Sequence, residues 1–299
     1  KDGNTYVEKW TGAGNAVGDA SAMQTIKKLG LGVFILKVSA QNIQEGSSVA
    51  QSNTWLIANE SQTGVNKTQE YSLTFTNIEY DATIGFKAIG ATGNWLACDN
   101  FKLYYAGGGT SDFNTTLQAY IKSAKDCSEK KMNTSIQNTL SSSIAAAENE
   151  LQNNAINNYP KVSTPLRLAK EDALASIAAY ESLQNAIDKA VTEYGNGSKN
   201  GADKFLAAIN QAKAVNNDLN ATIEEMKAEE ENLENASFQY LLENASGTAP
   251  VVITDTRFVK GSDLALGRLS YSGVSESQLL EVGFCWATHP EPTILDNRS

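Results

Sequence analysis

The hydrophobic period of the chain changes twice. Up to about residue 107 apolar and polar positions alternate. Phe34, Leu36, Val38 and Ala40 alternate with Lys37 and Ser39, and Tyr71, Leu73 and Phe75 alternate with Ser72, Thr74 and Thr76. Ile84 and Phe86 alternate with Thr83, Gly85 and Lys87, and between Trp95 and Tyr105 the residues Phe101, Leu103 and Tyr105 share one face against Lys102 and Tyr104. Period two over short runs, broken by Gly, Asn and Thr turns, predicts half-buried antiparallel strands. Strands spaced in this way predict a β-sandwich.

From about residue 112 the period becomes helical. Phe113, Leu117, Ile121 and Ala124 recur every three or four residues, as do Ile136, Leu140, Ile144, Ala147 and Leu151. A longer stripe runs through Ala173, Ile177, Tyr180, Leu183, Ile187, Val191 and Tyr194; Phe205, Ile209 and Ala212 follow, then Leu219, Ile223, Met226 and Leu233. These are amphipathic helices with one apolar stripe each. Asp112 reads as an N-cap, Thr164 as an N-cap with Pro165 at the first helical position, and Gly195 as a C-terminal cap.

The helical segment contains an internal repeat. Leu117 and Ile121 match Leu183 and Ile187, and Ile144 and Ala147 match Ile209 and Ala212. Each unit reads as a helix triplet. The third helix of the first unit runs into the first helix of the second, which predicts two three-helix bundles joined end to end as a rod. Strand periodicity returns at Val251–Thr254, 265–271 and 281–287. About 50 residues fall short of the ~100 of an immunoglobulin-like sandwich, so this last segment reads as part of a domain.

Composition follows the same divisions. Gly107, Gly108 and Gly109 form the clearest linker, and a second break falls at 247–250. The net charge is −10, distributed as −1 over residues 1–107, −7 over 108–248 and −2 over 249–299. A chain of this sign, with no basic patch, does not present a nucleic-acid surface. No apolar run approaches the ~18 residues of a membrane span, so membrane insertion is not expected.

Catalytic material is sparse. His289 is the one histidine, beside Pro290 and Pro292. Cys98, Cys127 and Cys285 fall one to each segment without a C-x-x-C pair, which provides neither a redox motif nor a zinc knuckle. The spacing of Gly12, Gly14 and Gly18 is wrong for a phosphate loop. Glu224, Glu225 and Glu229–Glu231 read as a solvated helix face. The chain is expected to be non-catalytic.

Binding chemistry is more visible. Trp10, Trp55 and Trp95 either fill the sandwich core or form a platform on which a sugar ring stacks, with Asn53 and Asn94 holding its hydroxyls. Trp95 follows a Gly-Asn turn, where binding residues concentrate. Asp99 lies among apolar residues, where a carboxylate must be paired, hydrogen-bonded or bound to a cation.

Several segments resemble known families. Tyr6–Trp10, Gly32–Val38 and the run Gly93-Asn94-Trp95-Leu96-Ala97-Cys98-Asp99-Asn100-Phe101-Lys102-Leu103 resemble a galactose-binding-like jelly roll. The run from Leu183 through Gly195-Asn196-Gly197-Ser198 to Ala212 resembles FIVAR-like three-helix repeats. Gly283-Phe284-Cys285-Trp286-Ala287 resembles the first half of a fibronectin type III-like domain. The resemblance implies a multi-domain chain, a β-sandwich (jelly roll) followed by tandem three-helix bundles and a truncated fibronectin/immunoglobulin-like β domain. The domains would be 1–107, lacking its N-terminal strands, then 112–182, 183–246 and 249–299. Such modules belong to surface glycan-processing proteins of gut bacteria. The implied function is carbohydrate binding and spacing, extracellular or at the bacterial cell surface, with polysaccharide or glycoprotein glycan as partner. The alternatives are an adhesive stalk without glycan binding, or the arm of an enzyme whose catalytic domain lies elsewhere. No cofactor is implied beyond a structural calcium at Asp99, whose partners from earlier strands are missing here.

Overall fold

The computed structural model describes residues 6–12 and 14–244, together with the backbone of short strands between Val251 and Arg298. Eight strands come first: β1 Val7–Trp10, β2 Gly18–Ile26, β3 Gly32–Ile43, β4 Thr54–Ala58, β5 Ser61–Gly64, β6 Gln69–Asn77, β7 Ala82–Ala91 and β8 Trp95–Gly107. They form two four-stranded antiparallel sheets, ordered β1-β8-β3-β6 and β2-β7-β4-β5. The alternation is the cause. In β3 every second residue from Gly32 to Asn42 is buried, and Phe34, Leu36, Val38 and Ala40 meet Leu56, Ala58, Ile84 and Phe86 of the other sheet in one core. Each fully buried leucine there contributes about 1.5–3 kcal/mol. The β2 and β4 strands, which carry no clean alternation of large apolar residues, complete the second sheet by pairing on either side of β7.

A bulge in β8 divides the strand into two stretches of opposite facing. The β3–β8 register shifts between the pairs Ser39/Asp99 and Lys37/Lys102, and Asn100 has φ 58. The Asp99 carboxylate accepts the Asn100 N–H at 2.7 Å, which satisfies the amide at the bulge. Before the bulge, even-numbered Leu96 and Cys98 face the core; after it, odd-numbered Leu103 does.

Among the described residues the helices are α1 Thr110–Ser128, α2 Thr134–Gln152, α3 Tyr159–Tyr194, α4 Ala202–Asn217 and α5 Ile223–Glu243, with a 3-10 turn at Ile156–Asn158. The stripes read from the sequence are buried as expected: Leu117, Ile121 and Ala124 in α1, Leu140, Ile144 and Ala147 in α2, Phe205, Ile209 and Ala212 in α4. Two expected helix starts are different. Gly109 rather than Asp112 is the N-cap of α1; Asp112 sits three residues in and its carboxylate accepts the Gly109 N–H at 2.9 Å. The third helix begins at Tyr159, five residues before Thr164, so Pro165 lies inside it. Pro160 occupies the first turn, where a missing N–H is harmless. Gly195, at φ 60, ends α3 as expected.

Two compact units divide at Tyr180/Glu181, inside unbroken α3. The first holds both sheets, α1, α2, the first part of α3 and Leu219–Ile223. Gly107–Gly109 is thus a tight turn within one unit. Gly108 has φ 123, and a Cβ there would approach the Val33 nitrogen to 3.0 Å. The connection between β6 and β7 also supplies Ile78, fully buried, to the core made by α1, α2 and α3. In the second unit Tyr194, Phe205 and Tyr240 cluster, with the Phe205 and Tyr240 rings 4.6 Å apart, and Ser182 donates to Glu230 at 2.7 Å. Beyond α5, short antiparallel pairs join Val251–Thr254 with Leu269–Ser272, Val259–Lys260 with Ala265–Leu266, and Cys285–Trp286 with Asn297–Arg298. His289 lies outside the described residues.

Candidate functional site

The outward face of the first sheet gathers the chemistry. In antiparallel pairs, directly opposed residues share a face. Trp10 of β1 opposes Trp95 of β8, and Glu8 opposes Ala97. Across β8, Gln41 opposes Ala97 and Ser39 opposes Asp99; across β3, Glu70 of β6 opposes Ser39. Trp95, Ala97 and Asp99 therefore lie away from the core that holds Leu96 and Cys98. An open cavity of about 410 Å³ lies over this face, lined chiefly by Tyr6, Ser39, Gln41, Gln69, Trp95 and Asp99. Its volume falls in the ~300–1,000 Å³ range of small-molecule sites.

Glu8 organises the aromatic end. Its carboxylate accepts the Trp95 indole N–H at 2.9 Å. It also accepts the Tyr6 hydroxyl, and that hydrogen bond is the main reason the phenol pKa is raised. The Tyr6 ring just before β1 and the Trp95 ring of β8 are thereby held by one side chain. Trp10 is 57% exposed, next to Trp95 in register. Gln41 accepts from the Thr68 hydroxyl at 3.1 Å through its amide oxygen, which leaves its NH2 as the donor it offers. The face thus offers aromatic rings, amides, hydroxyls and a carboxylate.

Beneath Trp95, the sequence-predicted Asn94 has a structural task. It is fully buried; its amide oxygen accepts the Glu45 N–H at 2.7 Å, and its NH2 donates to the Thr11 carbonyl at 3.2 Å. This fixes the end of β1 and the loop after β3 on either side of Trp95. Gly93 allows the close approach: a Cβ there would meet the Asn42 amide oxygen and the Ile43 carbonyl. Asn94 is not a group that reaches a ligand.

Trp55 and Asn53 are elsewhere. Trp55 lies in β4 of the second sheet, opposite Lys87 and Gly64, and Asn53, at φ 64, donates to the Gly90 carbonyl at 3.0 Å in a turn. The three tryptophans accordingly split, two on one sheet and one on the other. Asp99 is half-buried on the outward face and accepts the Asn100 N–H. Among the described residues no group of three or more His, Cys, Asp or Glu is arranged to hold a metal ion. Behind Asp99, burial, aided by that carboxylate's charge, pushes the Cys98 thiol up to about 11. Cys98 is thus a protonated core thiol at neutral pH.

Tyr6, Glu8, Ser39, Gln41, Gln69 and Thr68 are the site residues that the sequence reading missed. Two were signalled by period two: Tyr6, Glu8 and Trp10 recur at every second position into β1, as Trp95, Ala97 and Asp99 do on β8.

A second polar constellation lies at the base of the sandwich. Glu79, 1% exposed, accepts from Arg167 Nε at 2.9 Å, from the Thr164 hydroxyl at 2.9 Å and from the Tyr120 hydroxyl at 3.3 Å. Burial works against the Arg167 charge, but the Glu79 contacts outweigh it and the guanidinium pKa is raised. Burial, with the Glu79 charge, also raises the Tyr120 pKa. Lys170 adds an ion pair with Glu60. These residues are fully engaged with one another and hold α1 and α3 to the sheets. No protein-family model, curated protein or solved structure matches the chain.

Proposed function

We propose that the chain is a non-catalytic carbohydrate-binding and spacer region of a secreted or cell-surface glycan-processing protein. The observation that carries this reading is the outward face of the first sheet. Trp95 and Trp10 stand side by side there, Glu8 holds Trp95, and Gln41, Gln69, Ser39 and Thr68 border the same cavity. Aromatic rings pack on the C–H face of a pyranose, while amides and hydroxyls exchange hydrogen bonds with its hydroxyl groups. A preorganised indole limits the ordering cost of binding. In this reading the sandwich is a jelly roll of the galactose-binding-like kind and the helices are spacer repeats. The short C-terminal strand pairs belong to a fibronectin-like module. A binding module on a spacer raises the local concentration of an attached activity near its glycan.

Affinity electrophoresis against immobilised glycans tests the reading. The wild-type chain is retarded by at least one polysaccharide, and Trp95→Ala loses that retardation while its circular dichroism and unfolding midpoint stay the same. Equal retardation of wild type and variant would exclude this face.

A further inference from the structure

We infer that the same sheet face carries a second sugar-stacking platform at Tyr104, so that its ligand is an internal stretch of a linear polysaccharide rather than a chain end; the inference rests on the carbohydrate reading above. The bulge at Asn100 decides which aromatic ring of lower β8 faces outward. Beyond it Leu103 turns to the core, and Tyr105 packs edge-on against Phe34 with ring centroids 5.5 Å apart. Tyr104 takes the opposite side of the strand and is 48% exposed. It opposes Ile35 of β3, which in turn opposes Thr74 of β6. At the other end of the same face, Trp95 lies between Trp10 and Ile43 in register. Ile35 and Ile43 stand eight residues apart on β3. The two aromatic rows are therefore separated by about 26 Å of strand.

Between the rows the face is polar. Gln41, Ser39 and Lys37 alternate outward along β3, the Thr68 hydroxyl bonds to Gln41, and Ser72 opposes Lys37. Lys37 is paired with Glu70 at 3.4 Å, so its charge is met within the face. A single pyranose covers one aromatic row and cannot reach the other. A chain laid along β3 and β8 meets a ring at each end and hydrogen-bonding side chains between them. That order suits a sugar polymer, whose C–H faces pack on rings while its hydroxyls take up amides and hydroxyls. The cavity of about 410 Å³ at the Trp95 end then holds the part of the chain nearest that row. Two stacking points on one molecule act as linked sites, so affinity rises with chain length until both are reached.

Oligosaccharide length tests the inference. The full chain is run in affinity gels containing hydroxyethyl cellulose, xylan, galactomannan or desialylated mucin. Oligosaccharides cut from the polymer that retards it most are then added as competitors. In wild type, competition strengthens with each added sugar unit and levels off once the oligosaccharide reaches from one aromatic row to the other. Tyr104→Ala changes an exposed side chain and leaves the unfolding midpoint in place. It weakens retardation by the polymer by a few-fold to about ten-fold, and competition levels off at a shorter oligosaccharide. A disaccharide that competes as well as the longest oligosaccharide, or unchanged retardation of Tyr104→Ala, overturns the second platform and leaves carbohydrate binding standing. Retardation by mucin alone, whose glycans are short and branched, does the same. Retardation by no polymer overturns both.

Discussion

Glu79 and Glu8 are both glutamates of the sandwich that accept hydrogen bonds from side chains on other elements. Glu79 is 1% exposed and gathers Arg167, Thr164 and Tyr120 from two helices. Glu8 is exposed on edge strand β1 and gathers Trp95 and Tyr6. The difference in exposure assigns their tasks. A buried carboxylate without its cation is a large penalty, so the Glu79 cluster governs whether helices and sheets stay together. An exposed carboxylate is solvated with or without its partners, so Glu8 governs where two rings point and little else. The first region is about stability, the second about binding.

Removal of the cation at the base of the sandwich gives the largest expected effect. Arg167→Ala leaves Glu79 charged and buried and lowers unfolding stability by about 3–5 kcal/mol, read from urea denaturation of the whole chain. A loss below about 1 kcal/mol would mean that the cluster behaves as a surface pair, and the contrast with Glu8 would collapse.

The intermediate case is Asn94, where the two tasks meet. Asn94→Ala removes a fully buried side chain together with its hydrogen bonds to the Glu45 N–H and the Thr11 carbonyl, and at about 0.5–1.5 kcal/mol for each bond costs about 1–3 kcal/mol. The same change frees both chain segments that flank Trp95, so glycan retardation falls together with the unfolding midpoint. A variant that keeps full retardation at lowered stability would show that the Trp95 position depends on Glu8 alone.

The sequence showed the strand and helix stripes because burial on one side of an element leaves a period behind. β3, β6, β7 and β8 and the apolar faces of α1, α2 and α4 were legible for that reason. The continuity of the third helix into the repeat was legible from an uninterrupted stripe. Its start was not, because Thr164-Pro165 imitates a cap; in the fold the Thr164 hydroxyl serves Glu79. The Glu79–Arg167 pair joins residues 88 apart in sequence, and nothing local to either residue marks the other. The same limit applies to the candidate site. Trp95 and Trp10 stood out by residue type, but only the β1–β8 register makes them neighbours and leaves Trp55 on the other sheet. Asn94 looked like a ligand-binding amide because a Gly-Asn turn and a buried Gly-Asn tie have the same sequence.

Glu8 completes the comparison with the smallest effect on folding. Glu8→Ala removes an exposed side chain, so stability changes by no more than about 0.5 kcal/mol. The Trp95 indole and the Tyr6 hydroxyl then turn to water, and both rings regain rotamer freedom that binding must remove. Each ordered side chain of this kind weakens association by about 0.5–1.5 kcal/mol, which is several-fold in retardation for the pair. Glu8→Gln keeps one carbonyl oxygen in place and restores most of the loss on a neutral glycan. A purely electrostatic role would give Glu8→Ala and Glu8→Gln equal retardation there. A positioning role separates them, and thermal unfolding at matched conditions shows both variants as stable as the wild type.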